Sequence, residues 1–206
     1  MIKKKFVLVF TIFYITFSLF ILFFVNYIKF DNIIESCKRQ EKDVLERVIK
    51  SLYNADDEKF EDINYLNNLL KSETYFIFLY KENIVLYEKN LQNSKKYKGA
   101  TIRELYNDYT KNSGVDIVDD MLEMLESEEG IEYMTKMPSI GDEIIAWKNI
   151  EIDGYRYTVG VECPIRDILL ETKYYLFRNI SFFTNICSDI LILIFCFSYY
   201  KRATKE

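Results

Sequence analysis

Histidine is absent from the 206 residues. With it go the commonest general base and the commonest transition-metal ligand. Proline occurs twice and glycine six times, which leaves no flexible linker and no glycine-rich phosphate loop. No Ser-His-Asp set, zinc-ligand cluster or Walker motif can be assembled, so neither an enzyme nor a cofactor or metal is expected. The paired carboxylates Asp119-Asp120 and Glu128-Glu129 read as solvated charges at helix ends. What the chain has in quantity is apolar and aromatic surface, at 50% and 17% of residues, and that sets disorder aside.

Two segments set the architecture. Phe6 to Ile28 carries no formal charge and is long enough to cross a hydrocarbon core of ~30 Å at ~1.5 Å per residue. It is too long for a cleaved signal and lacks a small-x-small site, so an uncleaved anchor is expected. Ile180 to Tyr200 is a second apolar run with one charge, Asp189. Lys3, Lys4 and Lys5 precede the first run, and Lys201, Arg202 and Lys205 follow the second. The positive-inside bias therefore puts residues 1–5 and 201–206 in the cytoplasm, the spans at 6–28 and 180–200, and residues 30–178 outside a cell membrane. Those flanks hold six of the 27 basic residues and one of the 32 acids, so the rest of the chain has 21 against 31. An exterior so acidic argues against nucleic acid and against anionic headgroups as partners.

Between the spans, periodicity gives an order of elements. Ile33, Ile34, Cys37, Val44, Leu45, Val48, Ile49 and Leu52 form a helical stripe, with no Pro or Gly separating it from the first span. A second helix is expected from Asp56 or Asp57, burying Phe60, Ile63, Leu66, Leu69 and Leu70. Glu73 to Lys89 reads as two strands around Lys81-Glu82-Asn83. In Tyr75 to Tyr80 both alternating sets are apolar, so this strand belongs inside a sheet covered on both faces. A basic polar loop at 90–99 precedes a short helix opened by a Thr101/Glu104 capping box. A helix from Ile117 to Leu125 follows, and then strands at Gly130–Met137, Glu143–Ile152 and Tyr155–Cys163.

The last two strands fix a register. A two-residue Asp153-Gly154 turn sets Ile152 opposite Tyr155, Ile150 opposite Tyr157, Lys148 opposite Val159 and Ala146 opposite Val161. That face is apolar except for Lys148 and should meet the long helix. The other face pairs Glu151 with Arg156, Asn149 with Thr158, Trp147 with Gly160 and Ile145 with Glu162. Two readings stand for it: the floor of a small polar-ligand pocket built from Trp147, Asn149, Arg156 and Thr158, or a solvated face with one ion pair. Among Tyr80, Tyr133 and Lys136 as further lining, the pattern does not choose.

The element order, together with Trp147, the Asp153-Gly154 turn, "YTVGV" and Pro164 leading into a helix, resembles the extracytoplasmic single Cache (PAS-like) sensor domains. These form the input regions of bacterial diguanylate cyclases, sensor kinases and chemoreceptors. The resemblance covers residues 30–178. It implies an α+β fold with an antiparallel five-stranded sheet and a long N-terminal helix, set between two transmembrane helices. It also implies a small-molecule ligand, an amino acid or carboxylate. If the long helix crosses the sheet as in those folds, Cys37 and Cys163 could meet in a disulfide; two buried thiols is the alternative.

Asp189 lies near the middle of the second span, where an acid is costly. It either contacts a partner, a second copy or a separate signalling protein, or is held neutral by Tyr14 or Thr16 of the first span. The function expected is a sensory module that lacks its own output domain and acts through such a partner. The alternative is a membrane scaffold, or a receptor that has lost its output domain.

Overall fold

The computed structural model describes residues 2–54, 62, 65, 68, 75–88, 97–113, 118–137 and 141–202. The chain divides into two compact units, Ile34–Ile168 and Met1–Ile33 with Leu169–Glu206.

Helix α1 spans Ile2–Tyr53. It contains no proline or glycine, so nothing removes a backbone donor or loosens a turn along it. In the first of the two units its stripe of Val44, Leu45, Val48, Ile49 and Leu52 packs on Ile77, Leu79, Ala146, Ile150, Tyr157, Val159 and Val161 of a sheet. The helix expected between Asp56 and Leu70 lies almost wholly outside the described residues.

The sheet has strands β1 (Phe76–Lys81), β2 (Ile84–Glu88), β3 (Glu129–Met137), β4 (Gly141–Ile152) and β5 (Tyr155–Pro164), in the order β2-β1-β5-β4-β3. All neighbours are antiparallel. As its double apolar pattern requires, β1 is an interior strand: Ile77 and Leu79 meet α1, while Phe78 and Tyr80 are fully buried on the other side. That second face is covered by α2 (Ile102–Ser113) and α3 (Val118–Glu126), through Leu105, Tyr106, Met121, Met124 and Leu125. That face is therefore covered at Phe78, Tyr80, Trp147 and Thr158, while Glu151 and Arg156 at the hairpin end are exposed. The domain is α+β, with a long N-terminal helix and a five-stranded antiparallel sheet, the architecture that the resemblance implies.

Local chemistry sets the boundaries. The Thr101 N–H donates to Glu104 Oε2 at 2.8 Å, and the Glu104 N–H donates back to Thr101 Oγ1 at 3.1 Å. This reciprocal capping box opens α2. Asp153 and Gly154 both have positive φ, 50° and 79°, the requirement of a tight turn whose twist matches the strands. The β4–β5 register is the expected one at every pair from Ile152–Tyr155 to Ile145–Glu162.

Two glycines let aromatic rings lie down on the sheet. Phe78 occupies the space above Gly160, and a Cβ there would stand 1.8 Å from the ring. Trp147 lies over Gly130 in the same way, with a Cβ contact of 2.4 Å. Gly160 is the cross-strand partner of Trp147, but it is Phe78 that covers it.

In the other unit, α1 and α5 (Tyr174–Arg202) are both long and apolar enough to cross a membrane. Phe13, Phe183 and Phe195 are among the many large apolar side chains exposed there. Helix α4 (Ile165–Glu171) precedes α5, and Lys173, at φ 54°, makes the turn. The helices meet through polar groups: Tyr14 Oη lies 3.0 Å from Ser188 Oγ, and Ser18 Oγ donates to Asn185 Oδ1 at 2.7 Å.

Candidate functional site

Trp147, Asn149, Arg156 and Thr158 are brought together, and the polar atoms of Trp147, Asn149 and Arg156 converge on the end of α3. The last carbonyls of a helix have no intrahelical partner. Arg156 Nη2 donates to those of Leu125 and Glu126, at 3.1 and 3.2 Å. Asn149 Nδ2 donates to Leu125 O at 3.1 Å, and Asn149 Oδ1 accepts from Thr158 Oγ1 at 2.6 Å. Trp147 Nε1 donates to Ser127 Oγ, one residue beyond the helix, at 3.0 Å. The guanidinium also complements the negative end of the helix dipole.

Arg156 thus turns to α3 and away from Glu151, its cross-strand neighbour and expected ion-pair partner; its own N–H donates to Glu82 Oε1 at 2.9 Å. Beside this junction a cleft of about 230 Å³ opens, bounded in part by Glu82, Asn83, Ile102, Leu122, Arg156 and Thr158.

A second set of groups escaped the sequence reading. Glu41, Glu88, Glu143 and Glu162 have 0%, 2%, 0% and 3% of their surface exposed, and they are the only buried charged side chains among the described residues. Glu88, Glu143 and Glu162 come from β2, β4 and β5. Register puts them on the α2/α3 face: Glu88 opposite Phe78, and Glu162 opposite Phe76 and Ile145, with Glu143 two residues before Ile145. Tyr80 Oη donates to Glu88 Oε2 at 2.7 Å and lies 3.2 Å from Tyr106 Oη. Neither oxygen of Glu41 or of Glu143 has a hydrogen-bond partner among the described residues.

Ionising such groups is unfavourable. Burial, with the charge of Glu162 nearby, pushes the Glu41 carboxyl up to about 10. Burial and the charges of Glu162, Glu88 and Glu41 hold the Glu143 carboxyl well above its usual range. Burial, and then the charge of Glu88, does the same to the Tyr80 hydroxyl. Near neutral pH, Glu41 and Glu143 carry protons and are neutral; a cation placed against them would favour the ionised form.

A trace of these acids was visible as gaps in apolar patterns. Glu41 falls within the α1 stripe, and Glu162 alternates with Gly160 and Thr158 on a strand whose intervening residues, Tyr157, Val159, Val161 and Cys163, are apolar. Of the other candidates, Tyr133 Oη donates to Asp142 Oδ2 at 2.8 Å, and the Lys136 side chain is outside the described residues. Cys37 and Cys163 are both buried. Asp189 is held neither by Tyr14, which pairs with Ser188, nor by Thr16, whose hydroxyl returns to Ile12 O. It accepts from Asn185 Nδ2 at 3.2 Å, and its Oδ1 is buried without a hydrogen bond among the described residues.

The fold and site define an α+β domain with helices on both faces of its sheet. No family model matches the sequence, and no curated protein matches it. Among solved structures, parts of the chain are similar to the periplasmic sensory domain of the Campylobacter jejuni chemoreceptor Tlp1, at 11% identity and a TM-score of 0.34. That match covers 48% of this chain and 32% of the other. An extracellular ligand binding receptor from Desulfohalobium retbaense DSM5692 is similar at 12% identity and a TM-score of 0.29, over 48% of this chain and 15% of that one.

Proposed function

We propose that the chain is a membrane-anchored sensory module. Residues 30–178 form the extracytoplasmic Cache-like domain and take a small-molecule ligand, while the spans carry the response to a partner in or across the membrane. The membrane reading rests on the exposed apolar lengths of α1 and α5, which water would not tolerate as surface. The observation that carries the sensory reading is the α3 junction. The helix is docked on the sheet at its C-terminal end by the side chains of Trp147, Asn149 and Arg156, beside an open cleft. A helix fastened by a few polar bonds can shift when a ligand competes for them. Asp189, an acid within the second span, is the group through which α5 contacts a second copy or a separate signalling protein.

The full chain in lipid nanodiscs tests this by thermal unfolding against amino acids, amines and small carboxylates. Stabilisation by one class supports the reading; no stabilisation by any of them overturns it. A scaffold without a ligand is favoured by one observation, that the polar atoms of the expected pocket are already engaged by the chain's own backbone. That reading expects the screen to be silent.

A further inference from the structure

The buried acids point to the chemistry of the ligand. We propose that the α2/α3 face of the sheet binds an organic cation bearing more than one ammonium group, held by Glu88, Glu143 and Glu162. This inference rests on the sensory reading and narrows it.

Three observations support it. The first is sign. Every buried charged side chain among the described residues is a glutamate. Arg156, which shares this face of β5, is engaged by the carbonyls of Leu125 and Glu126. A carboxylate ligand would find no buried cation to pair with among the described residues, whereas a cation would favour the ionised form of these acids. The second is the unmet demand of Glu143, which is wholly buried yet has both oxygens without a hydrogen-bond partner among the described residues. Buried polar groups are ordinarily satisfied, and an exception of this kind marks a place for a group not yet present.

The third is spacing. The acids do not converge: among the described residues no three acidic side chains are close enough to hold a metal ion. Glu88 and Glu143 lie three strands apart in the order β2-β1-β5-β4, about 14 Å across the sheet at ~4.8 Å per strand. Glu162 sits between them on β5, diagonal to Glu143, whose direct partner is Pro164. A single ionic centre would reach one carboxylate at a time. A chain with ammonium groups separated by methylenes would reach two. The side chains between the acids, Phe78 and Ile145, are buried and apolar and so match methylenes, and the rings of Phe78 and Tyr80 stack beside them.

The full chain, in nanodiscs of zwitterionic lipid that offers amines no anionic surface, tests the proposal. Unfolding is followed by the fluorescence of Trp147, the only tryptophan. The probes are 1,4-diaminobutane and spermidine, with 1,4-butanediol, succinate and calcium chloride as controls. The expected result is a rise in Tm of about 5 °C with saturating amine, none with the diol, and loss of the response in Glu143→Gln and Glu162→Gln. Both variants remove a buried acid without changing its shape, so they should melt no lower than the parent, and a lost response then reports binding and not misfolding. The proposal is overturned if the amines produce no shift, if the variants respond undiminished, or if calcium reproduces the shift. Stabilisation by succinate or a neutral amino acid in place of the amines would sink the ligand class and leave the sensory reading standing. Silence with the amines alone removes this proposal; silence with amino acids and small carboxylates as well removes the sensory reading too.

Discussion

Replacing Glu41 with glutamine should stabilise the protein above pH 5 and do little below it. The carboxyl is fully buried on α1, and its pKa rises from an ordinary 4.5 to about 10 through burial and the charge of Glu162. A raised value in the folded state means that stability is complete below pH 4.5 and falls as pH climbs towards the folded value. Over that window the unfolded chain releases a proton that the folded chain retains. Each pH unit costs about 1.4 kcal/mol, so at pH 7 the penalty is roughly 3 kcal/mol. Glutamine keeps the shape and a comparable unpartnered polar load but has no proton to lose. The variant should therefore match the parent near pH 4.5 and exceed it by about 3 kcal/mol at pH 7, with a shallower decline from pH 5 to 8. Some decline remains, because the Glu143 carboxyl is raised in the same sense. Thermal and denaturant unfolding of the full chain, followed by Trp147 fluorescence across that range, measures both quantities. A variant less stable than the parent at pH 7, or a difference that stays constant from pH 5 to 8, would refute the reasoning.

Three further outcomes are expected. Gly160→Ala should lose about 1–3 kcal/mol, because its Cβ would stand 1.8 Å from the fully buried Phe78 ring; combining it with Phe78→Leu should recover part of the loss, and a neutral single variant in the same melts would contradict the packing described. Arg156→Ala should lose about 1–2 kcal/mol through its bonds to Leu125 and Glu126. Hydrogen exchange should then speed up first in α3, and uniform loss across the domain would count against a local fastening role. Cys37 and Cys163 should resist maleimide in the native protein and both react after unfolding without prior reduction; a requirement for reductant would mean they are bridged.

Much of the scaffold was legible because it depends on short-range rules. The Thr101/Glu104 box, the Asp153-Gly154 turn and the double apolar alternation of β1 each needed only neighbouring residues, and each took its expected form. Once the turn is two residues long, the hairpin register follows, and with it the face that meets α1. The resemblance to Cache domains added the sheet and the long helix, which the fold bears out.

The site was legible only in part. Trp147, Asn149, Arg156 and Thr158 share a face by register alone, but what covers that face depends on where α2 and α3 return, a long-range matter. Their partners proved to be the exposed carbonyls at the end of α3. Trp147 and Gly160 are cross-strand neighbours, as the pattern required. The ring that fills the space above the glycine comes from β1, since β1 pairs with the other edge of β5. Glu41, Glu88, Glu143 and Glu162 looked like ordinary charges interrupting apolar patterns. Their coupling arises because three strands and a helix bring into one dry region acids that lie far apart in the chain. Sequence by itself determined the local elements, the hairpin register and two membrane-length apolar runs, because these follow from periodicity and turn chemistry. Only the tertiary structure decided which polar groups lost their water, because burial is a property of what packs above a residue and not of the residues beside it.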